Sequence, residues 1–167
     1  LAALNLPIGS LVILRIWPGA PQPFYANRLR HLCRQRRLLF LVANDFRLAD
    51  RLRADGLHLS EKLARSECLA TALGWIRSQR KLLTIAAHSR RALGRARQLG
   101  ADAAFLSPVF ATPSHPQVQP LGALRFAQLC RDRPVAVLAL GGVDYKSYIG
   151  LKSTGAIGFG GISAFIK

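Results

Sequence analysis

LLTIAAHSRRALGRARQLGADAAFLSPVF, residues 82–110, reads as strand, helix, strand. Leu82–Ala87 is an apolar run of strand length. Ser89 is positioned to cap the helix that follows, its hydroxyl oxygen accepting one of the helix's first backbone N–H groups. Leu93, Ala96 and Leu99 then share one face at helical spacing, and Gly100 stands where a helix closes on a left-handed residue. Ala103–Phe110 resumes as a second apolar run. Two strands joined through a helix are paired in parallel.

The same alternation extends in both directions. Upstream, Leu11–Trp17 reads as a strand, Tyr25–Arg37 as a helix, Leu38–Asn44 as a strand and Arg47–Ala54 as a short helix. Gly56–Leu59 is then a brief strand and Arg65–Gln79 a helix. Downstream, the Pro-rich loop Ala111–Gly122 is too long for an idle connection. Helix Leu124–Arg131, strand Val135–Leu140, helix Asp144–Lys152 and the last strand and turn, Ala156–Phe165, follow. The strands are continuous apolar runs rather than alternating ones, the mark of a parallel sheet covered on both faces by helices. Seven strand–helix units, the last without its helix, predict the α/β class and one domain over residues 1–167. The expected fold is a (β/α)8 TIM barrel lacking its first βα unit and last helix in this chain, with Leu1–Leu6 as the tail of the first helix. An open doubly wound sheet of flavodoxin type is the competing architecture.

Half of the 167 residues are hydrophobic, enough for a sizeable core. Lys and Arg number 24 against 8 Asp and Glu, a formal charge of +16 that favours anionic partners. Nucleic acid is the less favoured of these, because the arginines are spread over several helices, with no basic arm and no aromatic-rich strand. Solvated helix faces and phosphorylated small molecules remain as explanations. No apolar run reaches membrane-spanning length and no signal-peptide pattern opens the chain, so a cytoplasmic protein with no membrane partner is expected. Cys33, Cys68 and Cys130 lie at no metal-ligand spacing and are expected to pack in helices among apolar neighbours. A homo-oligomer is left open.

In either parallel fold, ligands meet the chain where strands end. The residues to read there are Arg15 and Trp17, Asn44 and Asp45, Asp55 and His58, His88 and Ser89, Ser107, Gly141-Gly142 and Gly160 to Ser163. Glycine turns after the last two strands let backbone N–H groups approach a phosphate, or are simply tight turns. Thr112, Ser114 and His115 could bind phosphate oxygens, or form an ordinary turn. Asp45 could ligate Mg²⁺ or cap the next helix. His88 could exchange protons near neutral pH or hold structure. His58 is expected to be a packed residue, and no nucleophilic triad is visible.

LVILR (11–15), VANDF (42–46), ADGLHLS (54–60), AAHS (86–89), GADAAFLSPVFATPSH (100–115), LALGGV (138–143) and ISA (162–164) together resemble the thiamine phosphate synthase/TenI family of barrels. The resemblance runs from about Ser10 to Phe165. It implies thiamine biosynthesis by a transferase. Such an enzyme joins an aminopyrimidine diphosphate to a thiazole phosphate and releases diphosphate with the help of Mg²⁺. It also implies roles: Arg15 toward diphosphate, Asp45 as a metal ligand, and Asn44, Thr112, Ser114, His115, Gly142, Ile162 and Ser163 toward substrate or phosphate. His88 matches the catalytic His of the related thiazole tautomerases.

The departures have a direction. Trp17 and His115 stand where the family has lysines, and Leu63 where it has a second metal carboxylate, unless Glu61 substitutes. Ile13 replaces a Gln and Ala86 a Ser. The monophosphate half of the implied site is kept, whereas the diphosphate and metal half is degenerate. The expected function is a synthase-like transferase, with a TenI-type tautomerase and a non-catalytic phosphate-binding barrel as alternatives.

Overall fold

Strand β4, Leu82–Ala87, runs through the boundary between the two compact units of the chain. The computed structural model describes residues 5–16, 23–113, 116–131, 135–161 and 165. One unit spans Leu1–Leu83 with Phe165–Lys167, the other Thr84–Ala164.

In the first unit, β1 (Leu11–Leu14), β2 (Leu39–Ala43) and β3 (Gly56–Leu59) pair in parallel in chain order, with the start of β4 beside β3. Leu14 stands opposite Val42, and Ala43 opposite His58. Gly56 is required by that neighbour, since a Cβ there would lie 2.2 Å from the Leu82 carbonyl oxygen. The connecting helices are α1 (Pro23–Gln35), α2 (Phe46–Arg51), the short α3 (Glu61–Ala64) and α4 (Ala70–Ser78). Phe40, Leu41, Val42, Leu57 and Leu59 are at most 1% exposed, as continuous apolar strand runs require.

In the second unit, the end of β4 pairs with β5 (Ala103–Leu106), β5 with β6 (Ala136–Ala139) and β6 with β7 (Gly158–Phe159), all in parallel. Helices α5 (Arg90–Gln98), α6 (Gly122–Arg131) and α7 (Tyr145–Leu151) connect them. Ser89 caps α5 by accepting the Ala92 N–H at 3.2 Å, and Ala92, Leu93 and Ala96 are buried beneath its polar face. Full burial of a side chain such as Leu93 contributes roughly 2 kcal/mol.

Four helices end in the same way. The N–H groups of Arg37, Arg53, Arg80 and Gly100 donate to carbonyls three residues back, and those of Leu38, Ala54, Lys81 and Ala101 to carbonyls five residues back. This is the Schellman closure, which needs a left-handed residue after the helix. Gly100 supplies it at φ 74° at no steric cost. Arg37, Arg53 and Arg80 supply it at φ 53°, 48° and 50°, where an L side chain costs about 1 kcal/mol or more.

Several expected boundaries are corrected. The helix expected over Arg65–Gln79 begins only at Ala70, as α4, and α3 lies wholly before that stretch. Arg65 ends α3, and the Ser66 hydroxyl then accepts the Cys68 N–H at 3.3 Å, a local bond that competes with helix. Cys68 is therefore exposed in a turn, against expectation, whereas Cys33 and Cys130 are buried as expected. Strand β5 stops at Leu106 because Pro108 has no N–H to extend the ladder. β1 ends at Leu14, and β7 is only Gly158–Phe159. Most of the expected helix tail Leu1–Leu6 lies outside the described residues. No helix among the described residues is long and apolar enough to cross a membrane.

Candidate functional site

In the first unit, Arg15 follows β1 and is exposed. Its positive charge reaches His58 of β3. Burial first, and that charge second, lower the His58 pKa to about 4. His58 is thus a neutral imidazole near pH 7, half-buried beside a cation rather than merely packed.

Asn44 ends β2 at φ 63°, a left-handed conformation that Asn tolerates better than most residues. Its N–H donates to the His58 carbonyl at 2.8 Å. Its carboxamide oxygen accepts the Ser60 N–H at 2.8 Å. Asn44 therefore ties the end of β2 to the end of β3, and the donors its carboxamide can still offer an anion are those on Nδ2. Ser60 in turn caps α3 by accepting the Leu63 N–H at 3.3 Å.

Asp45 accepts the Leu48 N–H at 2.9 Å, so the capping role left open for it is present. Mg²⁺ binding wants oxygen ligands, commonly one or two carboxylates with waters and substrate phosphates. Glu61, the other carboxylate considered, is ion-paired with Arg65, and Leu63 is aliphatic. Among the described residues, no group of three or more His, Cys, Asp and Glu is arranged to hold a metal. This donor set does not fit a two-carboxylate Mg²⁺ site.

Asp55 is a correction. It precedes β3 rather than following a strand, so it lies at the opposite end from the ligand-facing termini. There it forms a two-pronged ion pair with Arg30, at 2.9 and 3.2 Å, and accepts the Phe40 N–H at 2.8 Å. It is a clasp between α1, β2 and β3.

In the second unit, His88 ends β4 and is exposed. Its Nδ1 lies 2.7 Å from the Ser107 carbonyl oxygen and 3.3 Å from the Ser107 hydroxyl. A carbonyl only accepts, so Nδ1 carries the proton and the lone pair of the neutral ring sits on Nε2. Ser107, buried directly after β5, was read from sequence as a strand-end residue without a role, and its contact with His88 gives it one. Its place at a strand end was the available signal.

Gly141 and Gly142 have φ of 86° and 63°. A Cβ on Gly142 would lie 2.4 Å from the Ala111 carbonyl oxygen, and one on Gly141 2.8 Å from Pro108 Cα. The Val109 N–H donates to Leu140 and the Phe110 N–H to Gly141, at 2.9 and 3.0 Å. These glycines therefore let the loops after β5 and β6 run in direct contact. Thr112 lines an open pocket of about 590 Å³ with Ala111, Gln117 and Gln119. Trp17, Ser114, His115, Ile162 and Ser163 lie outside the described residues. Within the units, Arg15, Asn44 and Asp45 follow β1 and β2, and His88, Ser107, Thr112 and Gly142 follow β4, β5 and β6.

A family profile described as thiamine monophosphate synthase matches residues 10–165. The thiamine-phosphate synthase of Syntrophomonas wolfei is 29% identical over 160 residues, which cover 94% of this chain and 75% of that protein. The Bacillus velezensis enzyme of the same name is 27% identical over 148 residues, covering 87% and 64%. A solved structure described as thiamine phosphate pyrophosphorylase from Pyrococcus furiosus superposes with a TM-score of 0.73 at 19% identity, over 96% of this chain and 75% of that one. That likeness shows the fold, the parallel βα succession of a (β/α)8 barrel, with seven strands among the described residues. With a profile match across nearly its whole length, the chain belongs to the thiamine monophosphate synthase family.

Proposed function

We propose that this chain carries synthase-type chemistry, joining an aminopyrimidine diphosphate to a thiazole phosphate. In that reaction the bond between the pyrimidine methylene carbon and the diphosphate oxygen breaks, and the electron pair leaves with diphosphate. The thiazole nitrogen lone pair then forms the new C–N bond. The observation that carries the reading is the family match over residues 10–165, supported by the polar groups kept at the strand ends.

Each role is assigned within one unit. In the first, the Arg15 guanidinium offsets charge on the departing diphosphate, with Asn44 Nδ2 donating to it. Asp45 keeps its capping role, since the donor set does not fit a two-carboxylate Mg²⁺ site. In the second, Gly142 and Thr112 serve the thiazole phosphate, together with Ser114, His115, Ile162 and Ser163. His88, its Nε2 carrying the lone pair, is the proton-handling group of this unit, a role that thiazole tautomerisation needs and the C–N bond-forming step itself does not. The tautomerase alternative draws on the same His88 geometry, but the names of the relatives do not favour it. Leu63, with Trp17 and His115, leaves the diphosphate half degenerate, so turnover is slow rather than absent. A cytoplasmic setting and the one-domain reading accompany this proposal.

Turnover is the test. Purified protein supplied with both substrates and Mg²⁺ must yield thiamine phosphate, and no product above background at saturating substrate overturns the reading. Arg15→Ala should lower kcat/KM by about 100-fold, in line with the loss of one charge-stabilising group.

A further inference from the structure

In sequence, the arginines of this chain are dispersed. In the first unit the fold gathers some of them at the N-terminal ends of the strands, opposite the ends that carry Arg15 and Asn44. The turns that close α1, α2 and α4 all lie there, and hydrogen bonds join them. The Arg30 guanidinium donates to the Arg53 carbonyl at 2.7 Å, and the Lys81 ammonium to the Ala54 carbonyl at 2.8 Å. The Leu82 N–H donates to the Asp55 carbonyl at 3.0 Å, and the Asp55 N–H to the Phe40 carbonyl at 2.8 Å. Arg37, Arg53 and Arg80, with Arg36, are all exposed along this rim. The nearby carboxylates are committed: Asp55 to Arg30, and Asp50 to the Trp75 and Gln79 side chains.

The backbone supplies an independent observation. The residue after each of these helices must be left-handed, and glycine does this freely, as Gly100 does in the same motif. Helix-dipole complementation does not explain arginine at those positions, because Arg34, Arg51 and Arg77 already stand in the last turns. The strained arginines therefore call for another reason.

We propose that this rim binds the phosphate backbone of a nucleic-acid duplex, without reading its sequence. Guanidinium groups pair two-pronged with phosphate oxygens. The three turns contain no aromatic residue to stack unpaired bases, which favours a duplex over a single strand. Ile8, joined to the rim through the Gly9–Arg37 hydrogen bond, is its most exposed aliphatic side chain, too little to insert into lipid.

The test is fluorescence anisotropy with a labelled mixed-sequence 20-base-pair DNA duplex, titrated at several salt concentrations. Wild-type protein should bind in the micromolar range at low salt. The triple variant Arg37→Gly, Arg53→Gly, Arg80→Gly relieves backbone strain, so its thermal midpoint should be equal or higher. Its affinity should fall at least about 30-fold, and its log–log salt slope by about 3. The corresponding triple Asn variant, also tolerated at left-handed positions, should lose affinity equally. A control with the same charge loss, Arg90→Gln, Arg91→Gln, Arg97→Gln on α5, should lose less than about 3-fold. Equal losses in control and rim variants would overturn the proposal, as would wild-type binding to phosphatidylserine vesicles but not to the duplex.

Discussion

The Nδ1 atom of His88 lies 2.7 Å from the carbonyl oxygen of Ser107, so the backbone after β5 sets the tautomer of the imidazole at the end of β4. The prediction concerns that tautomer. In ¹⁵N-labelled protein with the His88 ring neutral, long-range ¹H–¹⁵N spectra should place the proton on Nδ1 and the lone pair on Nε2. The reverse assignment would remove the proposed proton-handling role. Because His88 is exposed, His88→Ala should cost little stability, within about 0.5 kcal/mol. It should nevertheless lower turnover by about 100-fold if His88 exchanges protons in the reaction.

His58 predicts a pH dependence of stability. Its pKa in the folded chain, about 4, lies below the ordinary 6.5, so between those values the unfolded chain binds more protons. Stability is therefore fully present above pH 6.5 and falls as the pH drops toward 4. The loss attributable to this residue is up to about 3 kcal/mol. Urea unfolding at pH 7 and pH 4.5 measures it. His58→Gln should have a shallower pH dependence than wild type, and parallel profiles would contradict the account.

Gly142 and Gly74 should respond oppositely to alanine. A methyl on Gly142 meets the Ala111 carbonyl oxygen at 2.4 Å on a left-handed backbone, and Gly142→Ala should destabilise by about 2–4 kcal/mol. Gly74 lies inside α4 with nothing within 4 Å of a Cβ, so Gly74→Ala should stabilise by about 0.5–1 kcal/mol. Thermal unfolding of the two variants gives both signs. A neutral Gly142→Ala would mean that the loops after β5 and β6 do not run in contact.

The parts legible in the sequence were those with a strong local signal. Residues 82–106 behave as read, because the Ser89 cap, the buried face of α5 and the Gly100 closure all favour the same structure. The parallel pairing followed from strands apolar on every residue, such as β5, whose four residues are all buried. Arginine carries no helix-stop signal, so the closures at Arg37, Arg53 and Arg80 could not be read, and α2 was expected to run to Ala54. Asp55 was grouped with the ligand-facing termini although the strand read as Gly56–Leu59 already places it at the N-terminal end. Its structural role there, the pairing with Arg30 25 residues away, is the part no local pattern could show. Asp45 carried two readings, cap or metal ligand, and its bond with Leu48 assigns the first. Asn44 was read only toward a ligand, and its hold on Ser60 across the ends of β2 and β3 could not be read.

Diphosphate release, measured with each substrate alone and with both together, tests the central claim most directly. The account predicts release only when aminopyrimidine diphosphate and thiazole phosphate are both present, matched one for one by thiamine phosphate. Release that does not depend on the thiazole, or no release from the pair at saturation, would contradict it.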